Sequence, residues 1–238
     1  MSNKEITEKV VRVRRMTATM RIIHWINAFS IVAAVITGLY IAHPYYQTMI
    51  AEPAAHKYVM AYNRLIHFTA AMLLDVVAIV IFYLYFASRF EKFYKKLIPS
   101  KQNIKEFWEV FLNLITLNRR KKFDSSHLDS FNVVWFTIFH LLLVWMLFTG
   151  FYMYVQGLES GTSAIGSWWP SLLHFVTDWV GWLLGGHGGV RWWHHLTMWV
   201  ILSWAFFHIY YQIWRTIFWK EGDIAIVFGG YKFRKIKE

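Results

Sequence analysis

Residues 191–215 read RWWHHLTMWVILSWAFFHIYYQIWR, an apolar run with an arginine at each end and histidines at 194 and 208. It is long enough to cross about 30 Å of hydrocarbon. An imidazole inside a membrane helix is costly and needs a partner that uses its nitrogen. Fourteen residues make about 3.9 turns and about 21 Å of rise, so His194 and His208 share one face at two depths. That spacing suits two stacked cofactors.

The rest of the chain has the same character. Of its 238 residues 57% are hydrophobic and 20% aromatic, a membrane-protein composition. Cysteine is absent, which excludes disulfides, thiolate-held iron–sulfur clusters and covalent haem attachment through C-x-x-C-H. Histidine therefore carries any metal chemistry. Four stretches, about 21–42, 62–87, 131–155 and 192–216, are long and apolar enough to span. Backbone polar groups in lipid must be satisfied within the segment, so all four read as helices. The first is too long for a signal peptide and lacks a small-residue cleavage site.

The expected fold is an all-α integral membrane protein, one domain over 1–238, with a four-transmembrane-helix bundle. Two further helices fill the connections. Residues 101–117 put Ile104, Phe107, Trp108, Phe111, Leu112 and Ile115 on one face, the pattern of an amphipathic helix at the membrane surface. Residues 168–184, WWPSLLHFVTDWVGWLL, are too short and interrupted to span and read as an aromatic interfacial helix.

Charge orients the spans. Of 25 basic residues, six lie in the N-terminal segment through Arg21, ten in loop 88–130, and six from Arg215 onward. Only Lys57, Arg64 and Arg191 lie on the other side. The positive-inside rule then puts both termini, the tail 217–238 and loop 88–130 in the cytoplasm, and loop 156–191 outside. A multi-pass protein of the bacterial inner membrane is expected, in contact with lipid. The run NRRKK at 118–122 reads as a solvated juxtamembrane face and not as a nucleic-acid site.

With this topology the histidines fall into pairs by depth. Helix I enters from the cytoplasm and places His24 near the inner face, while helix II enters from outside and places His67 near the outer face. Helix IV supplies His194 at the outer level and His208 at the inner. His67 with His194, and His24 with His208, each suit both axial positions of one haem iron, so two haem b groups are expected across the membrane. Arginine repeats the arrangement, with Arg21, Arg64 and Arg191 each three residues before a histidine and Arg215 two turns beyond His208. Guanidinium groups toward the membrane surface match haem propionates. Snorkelling at a helix end is the alternative for any one of them.

Glycine gives a second echo, Thr37-Gly38-Leu39-Tyr40 and Thr149-Gly150-Phe151-Tyr152. Gly38 lies fourteen residues after His24, on the ligand face, where a missing side chain admits a porphyrin edge. Small-residue helix packing is the other reading. His195 is turned about 140° from the ligand face, and His140 has neither a level-matched partner nor a flanking arginine. His43, His56, His174 and His187 read as surface or packing residues, with a partner contact open for His187 in GGHGG. Asp75 is an intramembrane carboxylate, either functional or a hydrogen-bonded core residue.

RIIHWINAF, NRLIHF, the two TG pairs, WHHLTMWVILSWAFFHIYYQIWR and Gly230-Tyr231-Lys232 resemble the di-haem cytochrome b subunit of membrane-bound [NiFe]-hydrogenases, related to the formate dehydrogenase gamma subunit and the cytochrome b561 superfamily. The resemblance covers nearly the whole chain. It implies haem ligation by His24, His67, His194 and His208, and assembly with an iron–sulfur small subunit and, through it, a large subunit. It also implies electron delivery to a quinone, menaquinone or ubiquinone. Tyr210 matches a family tyrosine associated with quinone reduction. The entry to helix III often reads H-N-P-x-A-Q in relatives and reads His127-Leu128-Asp129-Ser130-Phe131-Asn132 here. Asn132 takes the place of the glutamine, and Asp129 or His127 is a proton source, against a helix N-cap at Asp129 or Ser130.

The chain is thus expected to be an electron-transfer and quinone-reducing subunit without a hydrogen-activating centre of its own. Three other readings stay open at this point. They are the cytochrome b of formate dehydrogenase, a stand-alone b561-type quinone oxidoreductase, and a non-haem transporter or anchor whose histidines line an ion path.

Overall fold

The computed structural model describes residues 10–44, 58–89, 98–116, 125–158, 163, 166–219 and 224–235. His56, the basic run at 118–122 and the side chain of His127 lie outside the described residues. In chain order the elements are β1 (Val10–Arg14), α1 (Ala18–Ala42), α2 (Val59–Phe86), α3 (Lys101–Ile115), α4 (Ser125–Gln156), α5 (Trp168–Leu184), α6 (His187–Trp214), α7 (Ala225–Gly229) and β2 (Tyr231–Lys235). Helix α6 continues as a π-helical turn, Arg215–Trp219. Four helices are long and apolar enough to cross a membrane: Ala18–Ala42, Val59–Phe86, Asp129–Gln156 and His187–Ile217. Much of their exposed surface is apolar, as at Phe29, Ile79 and Phe206. Such surface is stable against lipid and would not be against water. The protein is an all-α integral membrane protein.

Two compact units divide the chain, Met1–Val77 with Leu202–Glu238, and Ala78–Ile201. In the first, Thr17 caps α1 by accepting the Met20 N–H at 3.2 Å, so the helix begins at Ala18 and not at 21. Just before it, β1 pairs antiparallel with β2, with Val13 opposite Lys232. This sheet is an addition to the expected all-helical fold. The turn that feeds β2 is held on α1: Trp25 Nε1 donates to the Val227 carbonyl at 3.2 Å, and the Arg21 guanidinium donates to the Phe228 carbonyl. Arg15 and Met16 N–H groups both reach the Gly230 carbonyl, at 2.8 and 3.1 Å. Gly230 has φ +82°, and a Cβ there would lie 2.5 Å from the Met16 carbonyl oxygen, so only glycine fits.

In the second unit, α3 lies on α4. Phe107 stacks on Phe131 with ring centroids 5.1 Å apart, and Asn103 Nδ2 donates to Ser130 Oγ at 2.9 Å. The face buried on α4 includes Phe107 and Val110, while Ile104, Trp108 and Leu112 of the expected stripe are exposed. The stripe is therefore split between a protein contact and a free apolar face. Helix α4 starts at Ser125, six residues before the expected 131, so Asp129 and Ser130 are inside the helix and do not cap it. Ser130 is instead buried as an acceptor for Asn103.

Helix α5 covers Trp168–Leu184 and ends at Gly185, whose φ of +78° reverses the chain. Gly186 follows at φ +87°, and a Cβ on Gly189 would overlap the Leu184 carbonyl oxygen. Those glycines let α6 begin at His187, five residues before the expected 192. GGHGG is thus a helix-to-helix corner in which Gly189 alone is closely packed, with the exposed His187 ring 6.2 Å from that of Tyr152. The core beside it joins Tyr152, Val180 and Val190.

Candidate functional site

Two of the four candidate histidines are held by threonines of other helices. In the first unit His67 Nδ1 lies 3.0 Å from the Ala34 carbonyl and 3.1 Å from Thr37 Oγ1. A carbonyl only accepts, so Nδ1 carries the hydrogen and Nε2 keeps its lone pair. The Thr37 hydroxyl donates back to the Ala33 carbonyl at 2.6 Å and has lone pairs for the imidazole. In the second unit His194 Nδ1 lies 2.8 Å from Thr149 Oγ1. That hydroxyl turns back to the carbonyls of Trp145 and Met146, at 3.0 and 3.1 Å. Nε2 is again left as the electron-pair donor.

The glycine after each threonine faces the same ring. A Cβ on Gly38 would stand 3.1 Å from His67 Cε1, and one on Gly150 3.6 Å from His194 Cε1. Gly38, expected either to admit a porphyrin edge or to serve small-residue packing, lies against the His67 imidazole.

The other two histidines meet each other. His24 on α1 and His208 on α6, both in the first unit, have ring centroids 6.5 Å apart and planes tilted by 49°. His208 stacks on Trp204 one turn earlier, at 5.1 Å and 8°. His24 sits edge-on to Trp25 at 5.5 Å, and its Nδ1 is buried without a hydrogen bond. His67 belongs to the first unit and His194 to the second.

The four arginines differ. Arg215 is 1% exposed, in the π-helical turn, with its guanidinium carbon 5.8 Å from the Tyr211 ring centroid. Arg21 is half-buried and has one nitrogen committed to Phe228. Arg64 and Arg191 are exposed.

At the sites expected for quinone, Tyr210 is exposed on α6, and Asp129 and Asn132 are half-buried on α4 in the second unit. The adjoining Tyr211 is the buried one. Asp75 is half-buried on α2. His195 Nε2 accepts from Trp199 Nε1 at 3.0 Å, which occupies the lone pair a metal would need. His140 Nδ1 donates to the Phe136 carbonyl at 2.6 Å, and His174 pairs with Asp178 at 2.9 Å. His43 closes α1, its N–H donating to Leu39.

Several residues beside these groups escaped the reading of the sequence. Thr37 and Thr149 stand in the TG pairs, where the glycine alone carries a local signal of close approach. Lys232 is 1% exposed although a fully buried lysine is rare, and Trp204 is the stacking partner of His208.

The donor set fits a haem. Among the described residues no cluster of three or more His, Cys, Asp or Glu could hold a bare metal ion. An ion taken by histidine pairs must bring its equatorial ligands, as iron in a porphyrin does. Metal–imidazole bonds of about 2 Å leave room for one metal atom between rings 6.5 Å apart. The Nδ1 of His24 is buried without a hydrogen-bond partner.

Comparison with known proteins agrees. The family model described as prokaryotic cytochrome b561 matches residues 15–230. A protein of Bradyrhizobium diazoefficiens described as a probable Ni/Fe-hydrogenase B-type cytochrome subunit is 30% identical over 217 residues, covering 90% of this chain and 83% of the relative. One of the same description from Rhizobium leguminosarum bv. viciae is 31% identical, over 93% of this chain and 89% of the relative. A probable Ni/Fe-hydrogenase 1 B-type cytochrome subunit of Escherichia coli is 26% identical, over 92% of this chain and 89% of its own length. With four membrane-spanning helices, paired imidazoles and a match along nearly its whole length, this chain belongs to the prokaryotic cytochrome b561 family.

Proposed function

We propose that the protein is the haem b electron-transfer subunit and membrane anchor of a respiratory Ni/Fe-hydrogenase, carrying electrons from an outer iron–sulfur subunit to a membrane quinone. The observation that carries this reading is the facing pair His24–His208, 6.5 Å from ring to ring on two membrane helices. The names of the relatives supply the hydrogenase context and favour it over formate dehydrogenase. Haem iron, when bound, supplies reversible one-electron chemistry.

The chain's own part is ligation, orientation and insulation. His24 with His208 hold one haem, and His67 with His194 the other. Arg21 and Arg215 face propionates at one level, Arg64 and Arg191 at the other. Arg215 is shielded from solvent, which strengthens its hold on a carboxylate. Tyr210 stands on the exposed face of α6, two residues from His208, where a lipid-soluble quinone reaches it. Asn132 and Asp129 supply a hydrogen-bond donor and a proton on the quinone side. Both termini lie in the cytoplasm, a reading supported by the excess of basic residues on the terminal side, and the partner binds on the far side of the inner membrane.

A reduced-minus-oxidised spectrum of the purified chain, with a haem-to-protein ratio, tests the reading. Two b-type haems per chain, reoxidised by an added quinone, are expected. Absence of a b-type band overturns the proposal.

A further inference from the structure

The two TG pairs lie about 110 residues apart in sequence, yet each does the same thing to a histidine. Thr37 Oγ1 lies 3.1 Å from His67 Nδ1, and Thr149 Oγ1 lies 2.8 Å from His194 Nδ1. Gly38 and Gly150 then lie beside the Cε1 atoms of the same rings. Both threonines are buried, Thr37 at 5% and Thr149 at 0%. Each hydroxyl hydrogen is turned back into its own helix, which leaves the oxygen as an acceptor aimed at the ring. Helix packing alone would ask for a small residue here but not for a hydroxyl at hydrogen-bond distance from an imidazole.

We infer that Thr37 and Thr149 are positioning residues for electron transfer: Thr149 sets the tautomer, rotation and basicity of one axial haem ligand, His194, and Thr37 shares that task at His67 with the Ala34 carbonyl, 3.0 Å from Nδ1. The inference rests on the reading that these two histidines ligate haem. An imidazole that donates its Nδ1–H to a fixed oxygen becomes more electron-rich at Nε2. A more basic ligand stabilises ferric over ferrous iron, so these hydrogen bonds lower the reduction potential of the haem they serve. The paired glycine has a separate task, since any side chain at Gly38 would press on the ring that the threonine orients. The repeated unit is therefore acceptor plus clearance, a small motif that places a histidine of another helix.

The test is a potentiometric titration of the b-type bands, with electron paramagnetic resonance of the ferric haems, on the full chain in its hydrogenase complex. Thr37→Val and Thr149→Val keep side-chain volume and remove the hydroxyl acceptor, leaving His67 its Ala34 carbonyl, and Thr37→Ser and Thr149→Ser keep the hydroxyl. A lost hydrogen bond is worth about 1 kcal/mol. Thr149→Val should therefore raise the ferrous-to-ferric ratio of one haem roughly five- to tenfold at fixed potential, tenfold being ~59 mV for one electron, and Thr37→Val should raise it by less, because the Ala34 carbonyl still accepts from His67. The other haem should stay at its wild-type potential, and both serine variants should return to wild type. Haem lost from the valine variants but kept in the serine variants also supports the assignment. Unchanged potentials and resonance spectra in the valine variants overturn it, as does equal loss in valine and serine variants. His67→Ala and His194→Ala separate the positioning role from the ligation it rests on: if both haems persist in them at wild-type potential, the ligation reading itself fails.

Discussion

His194 and His208 are carried by one helix and share one face, yet the protein handles them differently. His194, like His67, is oriented by a hydrogen bond to a threonine on another helix. His208 lies parallel to Trp204 and faces His24 ring to ring. A hydrogen bond at Nδ1 fixes both the rotation of the ring and which nitrogen bears the proton. Stacking on Trp204 fixes the plane of the His208 ring. The comparison teaches that equal spacing along α6 does not make equal ligands, and that the two levels differ before any cofactor is considered.

The largest effect should come from breaking the facing pair. His208→Ala removes one of the two nitrogens across the 6.5 Å gap, and His24→Ala the other. Each variant should lose one of two haems, roughly halving the haem-to-protein ratio, with the remaining b-type band unshifted. A ratio that stays at the wild-type value would show that this pair is not a ligand pair.

A smaller effect sharpens the other side. Gly38→Ala puts a methyl group 3.1 Å from His67 Cε1, tighter than ordinary contact, against a ring tied to Ala34 and Thr37. Overpacking of this kind costs about 1–3 kcal/mol. Gly150→Ala meets His194 at 3.6 Å, an ordinary contact. The first variant should therefore disturb the spectrum and lower the thermal stability of the His67 haem, and the second should leave both near wild type. Equal behaviour of the two would mean that clearance at the ring is not what the glycines provide.

These contrasts also show where sequence ran out. The spans were legible because each is an unbroken apolar run, and the meeting of His24 with His208 was legible because helical rise converts spacing into depth. The start of α6 was hidden because GGHGG reads as a helix breaker, and only the fit of Gly189 against Leu184 explains a helix there. The start of α4 was hidden because residues 125–130 carry no apolar period. VVRVR at Val10–Arg14 alternates as a strand does, but its partner Tyr231–Lys235 lies at the far end of the chain, and no local pattern names it. The threonines were missed for a related reason. Thr37 and Thr149 find their histidines 30 and 45 residues away, so the hydroxyl's use depends on helix placement, whereas a glycine suggests closeness by itself.

The smallest expected effect is the one that isolates the choice between neighbours. His195 adjoins His194 and is the obvious alternative ligand, but its Nε2 already accepts the Trp199 indole N–H within the same helix. A nitrogen lone pair occupied by that hydrogen bond is not available to iron without breaking it. His195→Gln keeps a polar side chain at the position and touches neither threonine. It should leave haem content, both midpoint potentials and the ferric resonance at wild-type values, with a stability change within about 0.5 kcal/mol. Loss of one haem in this variant would move the ligand from 194 to 195, a turn of about 100° around α6. It would also detach Thr149 from the site, because that threonine reaches His194 at 2.8 Å. The same titration thus tests the histidine and the hydroxyl that orients it.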